Sequence, residues 1–523
     1  MKSDRVNRFG VTKSRWIVLI AIAALCWNCA GLSVLAAPQT QQQSSIQPYI
    51  NRVMDRITEF TLDNGLKFIL LENHEAPVVS FVTYANVGGV DEPDGQTGVA
   101  HFLEHLAFKG TKRIGTTNYP AEAKELDKLD VIFAKIKQAQ QSGDEAKLAQ
   151  LKQQFVATQE AANKYVKQNK YGEIVDTAGG VGLNAATSAD STSYFYSFPA
   201  NKLELWMSLE SERFLEPVFR EFYQEKQVIL EEKKMRTDNS PIGKMIEEFL
   251  DTAYDVHPYK RPVIGYEEDL GALSRENVEQ FFKAYYSPNN LTIAIAGDID
   301  PEEVQALATT YFGRFKAQAQ AQAKPAMVAK VEPPQTKTKE VTVTFPSQPW
   351  YLEGYHIPAL SDPDYEVHEV ISELLSSGRT SRLYQSLVEK QQVALTAQGF
   401  SGFPGDKYPN LMLVYALTSP GTSVDKLATA LRAEIERLKT EPVTPEELEQ
   451  VKTQLKAGLL RTLDSNMGMA NLLAEYQAKT GDWRNMFEEL KKLEAITPKD
   501  IQRVAAATFT EENRTIGKLL PPS

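Results

Sequence analysis

The chain has 523 residues, 42% of them hydrophobic, and a formal net charge of −11. That is enough apolar material for a large core split over two or three domains, while the acidic balance argues against a nucleic-acid binder, which needs basic patches. Both cysteines, Cys26 and Cys29, lie near the N-terminus, so any metal bound further on must be held by His and carboxylate side chains.

Lys2, Arg5, Arg8, Lys13 and Arg15 precede an apolar run over 16–37 that ends in small residues. This is the pattern of a signal peptide, 1–36, cut after Ala36, and it predicts export to a periplasm or the extracellular space. The run is also long enough to serve as an uncleaved membrane anchor. Neither cysteine sits in a convincing lipobox. A Gln/Ser-rich spacer, 37–54, follows.

A first domain is expected over 55–315. In Phe60-Thr61-Leu62-Asp63-Asn64-Gly65-Leu66-Lys67-Phe68, an Asn-Gly pair between apolar runs predicts a β-hairpin. A strand over 78–87 comes next, with His74 on the surface before it. The run from Thr97 to Phe108 holds no helix breaker, and Thr97 is placed to cap a helix starting just before His101. His101 and His105 stand one turn apart on one face with Glu104 beside them. Two imidazoles at that spacing can share one zinc ion, leaving the carboxylate to hold and deprotonate a water molecule. The H-x-x-E-H order is the inverzincin signature.

Over 121–169 the composition turns to Lys, Gln, Ala and Glu with apolar residues at helical spacing, divided at Ser142-Gly143-Asp144. A helical hairpin is expected there. The stretch 182–198 is β-prone and reads either as an edge strand that takes up an extended peptide or as an ordinary half-buried strand. A helix near 203–214 follows. In Glu225-Lys226-Gln227-Val228-Ile229-Leu230-Glu231-Glu232, Glu225 and Glu232 share a helix face with Val228 and Ile229 between them. An acid with apolar neighbours needs a positive partner. Glu232 is therefore the predicted third ligand and Glu225 a carboxylate close by, unless the helix is amphipathic with ordinary surface acids.

The stretch 273–293 aligns without a gap on 496–516, each copy reading as a capped helix, a turn and a strand. Between them 316–338, rich in Ala, Gln, Lys and Pro, reads as a linker. A second domain, 339–523, opens with the alternating strand Val341-Thr342-Val343-Thr344-Phe345 and carries no H-x-x-E-H. The fold class expected is α+β: two homologous α/β-sandwich-like domains enclosing a chamber, with a helical hairpin inserted in the first.

These residues, with His257-Pro258-Tyr259, Ser287-Pro288-Asn289-Asn290 and Gly297-Asp298, resemble the insulinase/pitrilysin family of zinc peptidases. The likeness is to its short two-domain bacterial members related to mitochondrial processing peptidase. The resemblance implies one zinc per chain on His101, His105 and Glu232, with Glu104 as general base. It also implies that Asn184 and Ala185 bind the substrate backbone, and that the substrates are peptides or small unfolded proteins. The interval from His105 to Glu232 exceeds the family's by about the length of the hairpin. Active members carry an Arg and a Tyr, seven residues apart, where this chain has Val388 and Leu395, and neither side chain can donate a hydrogen bond to an oxyanion. The chain is therefore expected to act as the zinc-bearing subunit beside a homologous subunit that supplies the pair. Three rival readings stay open: alignment through Arg382 and Tyr384, a non-catalytic scaffold or peptide-binding subunit of the same fold, and a membrane-anchored adaptor built on the helical hairpin, which would need the leader to stay uncleaved.

Overall fold

A computed structural model describes residues 47–316 and 330–522. The expected signal peptide and residues 317–329 of the linker lie outside the described residues. Part of the expected spacer is helical: Gln47–Met54 buries Ile50 and Val53, spaced one turn apart.

Six strands form the first sheet: β1 (Ile57–Thr61), β2 (Lys67–Glu72), β3 (Val78–Ala85), β4 (Val181–Thr187), β5 (Thr192–Pro199) and β6 (Leu291–Gly297). Their order is β1-β2-β6-β3-β5-β4. The second sheet takes β7 (Lys339–Thr344), β8 (Trp350–Ile357), β9 (Ala394–Phe403), β10 (Asn410–Thr418) and β11 (Arg514–Leu520) in the order β7-β11-β8-β10-β9. Apart from β1, the two orders are the same. In both, the last strand lies between a parallel and an antiparallel neighbour, β6 between β2 and β3, β11 between β7 and β8.

The internal repeat explains that match. The two aligned helices, Arg275–Tyr285 and Pro498–Thr508, each begin with a reciprocal capping box, Ser274 with Asn277 and Thr497 with Asp500. Each then passes through an Asn whose side-chain amide donates to two carbonyls, Asn290 to those of Asn86 and Tyr285, Asn513 to those of His356 and Thr508. A buried lysine completes both copies: Lys226 Nζ donates to the carbonyls of Gly271 and Leu273, Lys452 Nζ to those of Glu494 and Ile496.

Local signals shape the first half as expected. The Asn64-Gly65 turn closes β1 onto β2 with Gly65 at φ 92°, and Asn64 Nδ2 donates to the carbonyls of Phe312 and Phe315. The helical hairpin runs Tyr119–Ser142 and Glu145–Asn163, broken by Gly143 at φ 69° and restarted by the Asp144 cap. The β-prone stretch, by contrast, is two strands. Ser188 N donates to Ser191 O at 2.8 Å to close a tight turn, so that β4 forms the sheet edge and β5 pairs with both β3 and β4.

The halves are joined by an exchange of helices. Pro241–Ala253, from the first half, packs across β7 and β11, while Asn466–Thr480, from the second, packs across β3 and β6. Gly354 and Gly517 make room for the first of these: a Cβ on Gly354 would lie 2.7 Å from Phe249 Cζ, and one on Gly517 would strike Met245. Met245 and Phe249 share a buried cluster with Leu352, Leu413 and Leu519. Among the described residues no helix is long and apolar enough to cross a membrane.

One acid in the second half makes folding pH-dependent. Glu489 lines a cavity of about 310 Å³ with Leu455, Leu472, Tyr476 and Leu490, and burial pushes its pKa up from 4.5 to about 7. Folding then takes up a proton between those values, so this group's contribution to stability is complete below about 4.5 and is lost as pH rises through 7. Thermal unfolding followed from pH 4 to 8 should show a shallower fall for Glu489→Gln than for the wild type.

Candidate metal centre

The H-x-x-E-H helix spans Val99–Leu106. Thr97 is not its side-chain cap: Thr97 Oγ1 donates to Asp269 Oδ2 and accepts from Tyr266 N. Gly98, at φ 84°, occupies the cap position. The first turn is instead held from a distance by Glu92, whose two oxygens accept from Gly98 N and Ala100 N, each at 2.9 Å. A carboxylate there satisfies amides that have no partner within the helix.

The second helix of the centre, Phe222–Lys233, continues into a π-turn at Lys234–Asp238. Phe102 stacks on Phe222 with ring centroids 4.6 Å apart, which locks the two helices face to face. Across that contact three ligand atoms converge. His101 Nε2 and His105 Nε2 are 3.3 Å apart, and Glu232 Oε2 is 3.8 Å from the first and 3.5 Å from the second. A point equidistant from all three lies about 2 Å from each, the length of a Zn–N or Zn–O bond. The donor set, two imidazoles and a carboxylate, suits zinc in a site that keeps an open position. Among the described residues no other His, Cys, Asp or Glu trio converges in this way.

Neighbouring groups fix two of the three ligands, His105 and Glu232. His105 Nδ1 meets Glu225 Oε1 at 2.9 Å, and Glu225 Oε2 pairs with Lys109 at 2.6 Å. With Nδ1 donating to Glu225, the lone pair of Nε2 is left for a metal. Arg236, in the π-turn, holds Glu232 Oε1 at 2.8 Å, so that Oε2 is the ligating oxygen. Burial lowers the pKa of His101 to about 3, keeping it neutral as a ligand must be. For His105 burial opposes charge, but the Glu225 hydrogen bond and the nearby carboxylates outweigh it, so its pKa is raised and metal binding competes with protonation of the ring. Burial also raises the pKa of Glu104, against the hydrogen bond it accepts from Thr187. A carboxylate moved towards neutrality suits a general base.

Replacing Glu225 by Ala removes the acceptor that orients His105 and leaves Lys109 with its longer pair to Glu221 at 3.8 Å. Zinc affinity should fall about ten- to a hundredfold, read by titration against a competing chelator.

Glu104, His105, Lys109, Asn184 and Glu225 line one open cleft of about 510 Å³. Asn184 lies on the edge strand β4, exposed, and its Oδ1 accepts from Ala185 N at 2.9 Å, so the Ala185 amide already has a partner within the chain. Val388 is half-buried against the second core, and Leu395 is 51% exposed on β9. Arg382 donates from Nε and Nη2 to the two oxygens of Glu447, and Tyr384 lies against Arg379. Sequence reading missed Thr187, Lys109 and Arg236. The two cations each sit four residues beyond a ligand, a spacing that places them within reach of one helical turn.

Two homologous α+β halves, the first carrying an inverted His-x-x-Glu-His centre, define an inverzincin-type protein. The family model described as Insulinase (Peptidase family M16) matches residues 67–133 and 157–267, and that described as Peptidase M16 inactive domain matches 272–455. The chain thus belongs to the insulinase family, peptidase family M16, with the far part of the helical hairpin outside the match. It is 30% identical to the zinc protease PqqE of Helicobacter pylori over 472 residues, 88% of this chain and 92% of the relative. A protein of Schizosaccharomyces pombe named probable mitochondrial-processing peptidase subunit beta is 25% identical over 490 residues, 90% of this chain and 92% of its own. The crystal structure of a protease from Helicobacter pylori superposes with a TM-score of 0.75 at 27% identity, covering 89% of this chain and 99% of that one.

Proposed function

We propose that this protein is an exported zinc endopeptidase that hydrolyses peptides or small unfolded proteins. The observation that carries the reading is the convergence of His101, His105 and Glu232, with Glu104 and His105 lining one cleft. Bound zinc supplies Lewis acidity and brings the pKa of water from 15.7 towards about 7. Glu104 takes the proton of the attacking water and returns it to the leaving amine nitrogen. Glu225 keeps His105 in the tautomer that presents Nε2, and Arg236 keeps Glu232 presenting one oxygen. Asn184, on the exposed edge of the sheet, lies where an extended peptide can add as a further strand.

Val388 and Leu395 support a hetero-oligomer, since neither offers a donor to a developing oxyanion. In this reading a homologous subunit carrying Arg and Tyr at those positions completes the site. Export rests on the basic and apolar pattern of residues 1–36.

The test is peptide cleavage by the purified chain, stripped of metal and then supplied with zinc, alone and with such a homologous chain. Zinc-dependent cleavage that rises with the partner is expected. A chain that neither binds zinc nor cleaves in any combination leaves only the scaffold reading, and cleavage indifferent to the partner removes the subunit part. A Val388→Arg, Leu395→Tyr double variant should raise the activity of the chain on its own.

A further inference from the structure

We propose that Thr187 is the positioning residue for Glu104, and that the half without the metal centre holds Thr187 in place through Asp190. The inference rests on the peptidase reading and adds to it a role for the second half.

Thr187 is the last residue of β4, and its Oγ1 donates to Glu104 Oε2 at 2.6 Å. A hydrogen bond to a carboxylate is among the stronger ones a side chain makes. It takes one oxygen and leaves the other to accept a proton. A general base has to stay within hydrogen-bond reach of the water it deprotonates, and a carboxylate on a flexible side chain keeps that position only if something fixes its rotamer.

The turn that follows Thr187 is clamped from both sides. Towards the metal helix, Gly89 N donates to Ser188 O at 3.1 Å and Val90 N to Ala189 O at 2.8 Å. Gly88 packs so close that a Cβ there would lie 2.5 Å from Ser188 O and Ser191 N. From the other direction the second half reaches in. Asp190 is 2% exposed. Its Oδ2 accepts from the backbone amides of Asp406 and Lys407 at 2.9 and 3.1 Å, and its Oδ1 accepts from Tyr259 Oη at 2.6 Å. Asp406 and Lys407 belong to the connection between β9 and β10. The same connection sends Lys407 Nζ to Asn86 Oδ1 at 2.6 Å, next to the end of β3. A carboxylate buried in one half and satisfied by main-chain amides of the other fixes their relative position, because an unpaired buried charge is costly. Only Ser188 and Ala189 separate that anchor from the hydroxyl that holds Glu104.

The experiment uses the full zinc-loaded chain and an internally quenched peptide that the wild type cleaves, with kcat, KM and zinc per chain measured together. Thr187→Val should lower kcat about ten- to a hundredfold while KM and zinc content stay within twofold, and Thr187→Ser should restore most of the rate. A Thr187→Val kcat within twofold of wild type overturns the proposal, as does a loss confined to zinc binding or KM. For the second half, Asp190→Ala should also lower kcat, and adding it to Thr187→Val should cost little more than Thr187→Val alone. Fully multiplicative effects overturn that part. Asp190→Asn, of the same size but with one oxygen fewer to accept from those amides, replaces Asp190→Ala if the latter does not fold. Should the wild type prove inert with zinc bound, both alone and with the homologous partner chain, the peptidase reading falls. The inference is then judged by a crystal structure of zinc-loaded Thr187→Val: an unmoved Glu104 carboxylate overturns it, and a displaced one supports it.

Discussion

Glu104→Gln is expected to bind about one zinc per chain and to lose two to four orders of magnitude in kcat, because a positioned acid–base group typically contributes about a hundred- to ten-thousandfold. The amide is isosteric with the carboxylate and can still accept from Thr187, so the fold and the three ligands are left alone. What it cannot do is take a proton from water. Zinc content by elemental analysis and kcat on the same preparation separate the two roles. A variant that keeps its turnover would remove Glu104 from the chemistry, and one that loses its zinc would make Glu104 part of the metal site. His101, His105 and Glu232 predict the opposite pattern: changing any of them to Ala leaves two ligands, and zinc is lost along with activity.

The largest expected change in stability comes from a pair that makes no contact with the metal. Glu122→Ala should cost about 3–5 kcal/mol, the usual result of removing one partner from a buried ion pair. Arg220 and Glu122 are both fully buried, with Nε to Oε1 at 2.8 Å. The remaining guanidinium nitrogens donate to the carbonyls of Lys109, Ile114 and Thr111 at 2.6, 2.9 and 2.7 Å. The loop between the metal helix and the helical hairpin is wrapped around that guanidinium. Gly110 and Gly115, at φ 96° and 87°, allow the approach: a Cβ on either would lie within 2.9 Å of Arg220 Nη1. Removing Glu122 leaves the arginine charged and short of its acidic partner. Urea unfolding with an unchanged m-value measures the loss, and replacing both residues by apolar ones of similar volume should recover much of it. Lys109 lies on the same loop, so zinc affinity should weaken in Glu122→Ala even though no ligand is touched.

Features whose cause lies within a few residues were legible in the chain itself. The pairing of His101 with His105 and the placing of Glu104 beside them follow from helical periodicity alone. The Asn64-Gly65 turn, the break at Gly143-Asp144 and the two capping boxes of the repeat are equally local, because a turn or a cap is decided by the conformational preferences of the residues in it. The α+β class and the kinship of the halves came from the same kind of reading. It failed where a partner is remote. Thr97 has the chemistry of a cap, but Glu92 and Asp269 compete for the same groups and win through packing. The stretch 182–198 has the composition of one strand, and only the antiparallel pairing of β4 with β5 shows that it turns back at Ser188.

Periodicity could nominate Glu232, but it could not bring Oε2 to within 3.8 Å of both imidazoles. That required the stacking of Phe102 on Phe222 and the π-turn that returns Arg236 to Glu232. The exchange of helices between the sheets and the anchoring of Asp190 by Asp406 and Lys407 left no mark in sequence spacing. The sequence by itself determined which residues can bind a metal and move a proton, since that is a property of side chains and local backbone. Only the tertiary structure decided where they meet, because burial, charge compensation and packing act between segments that lie far apart along the chain.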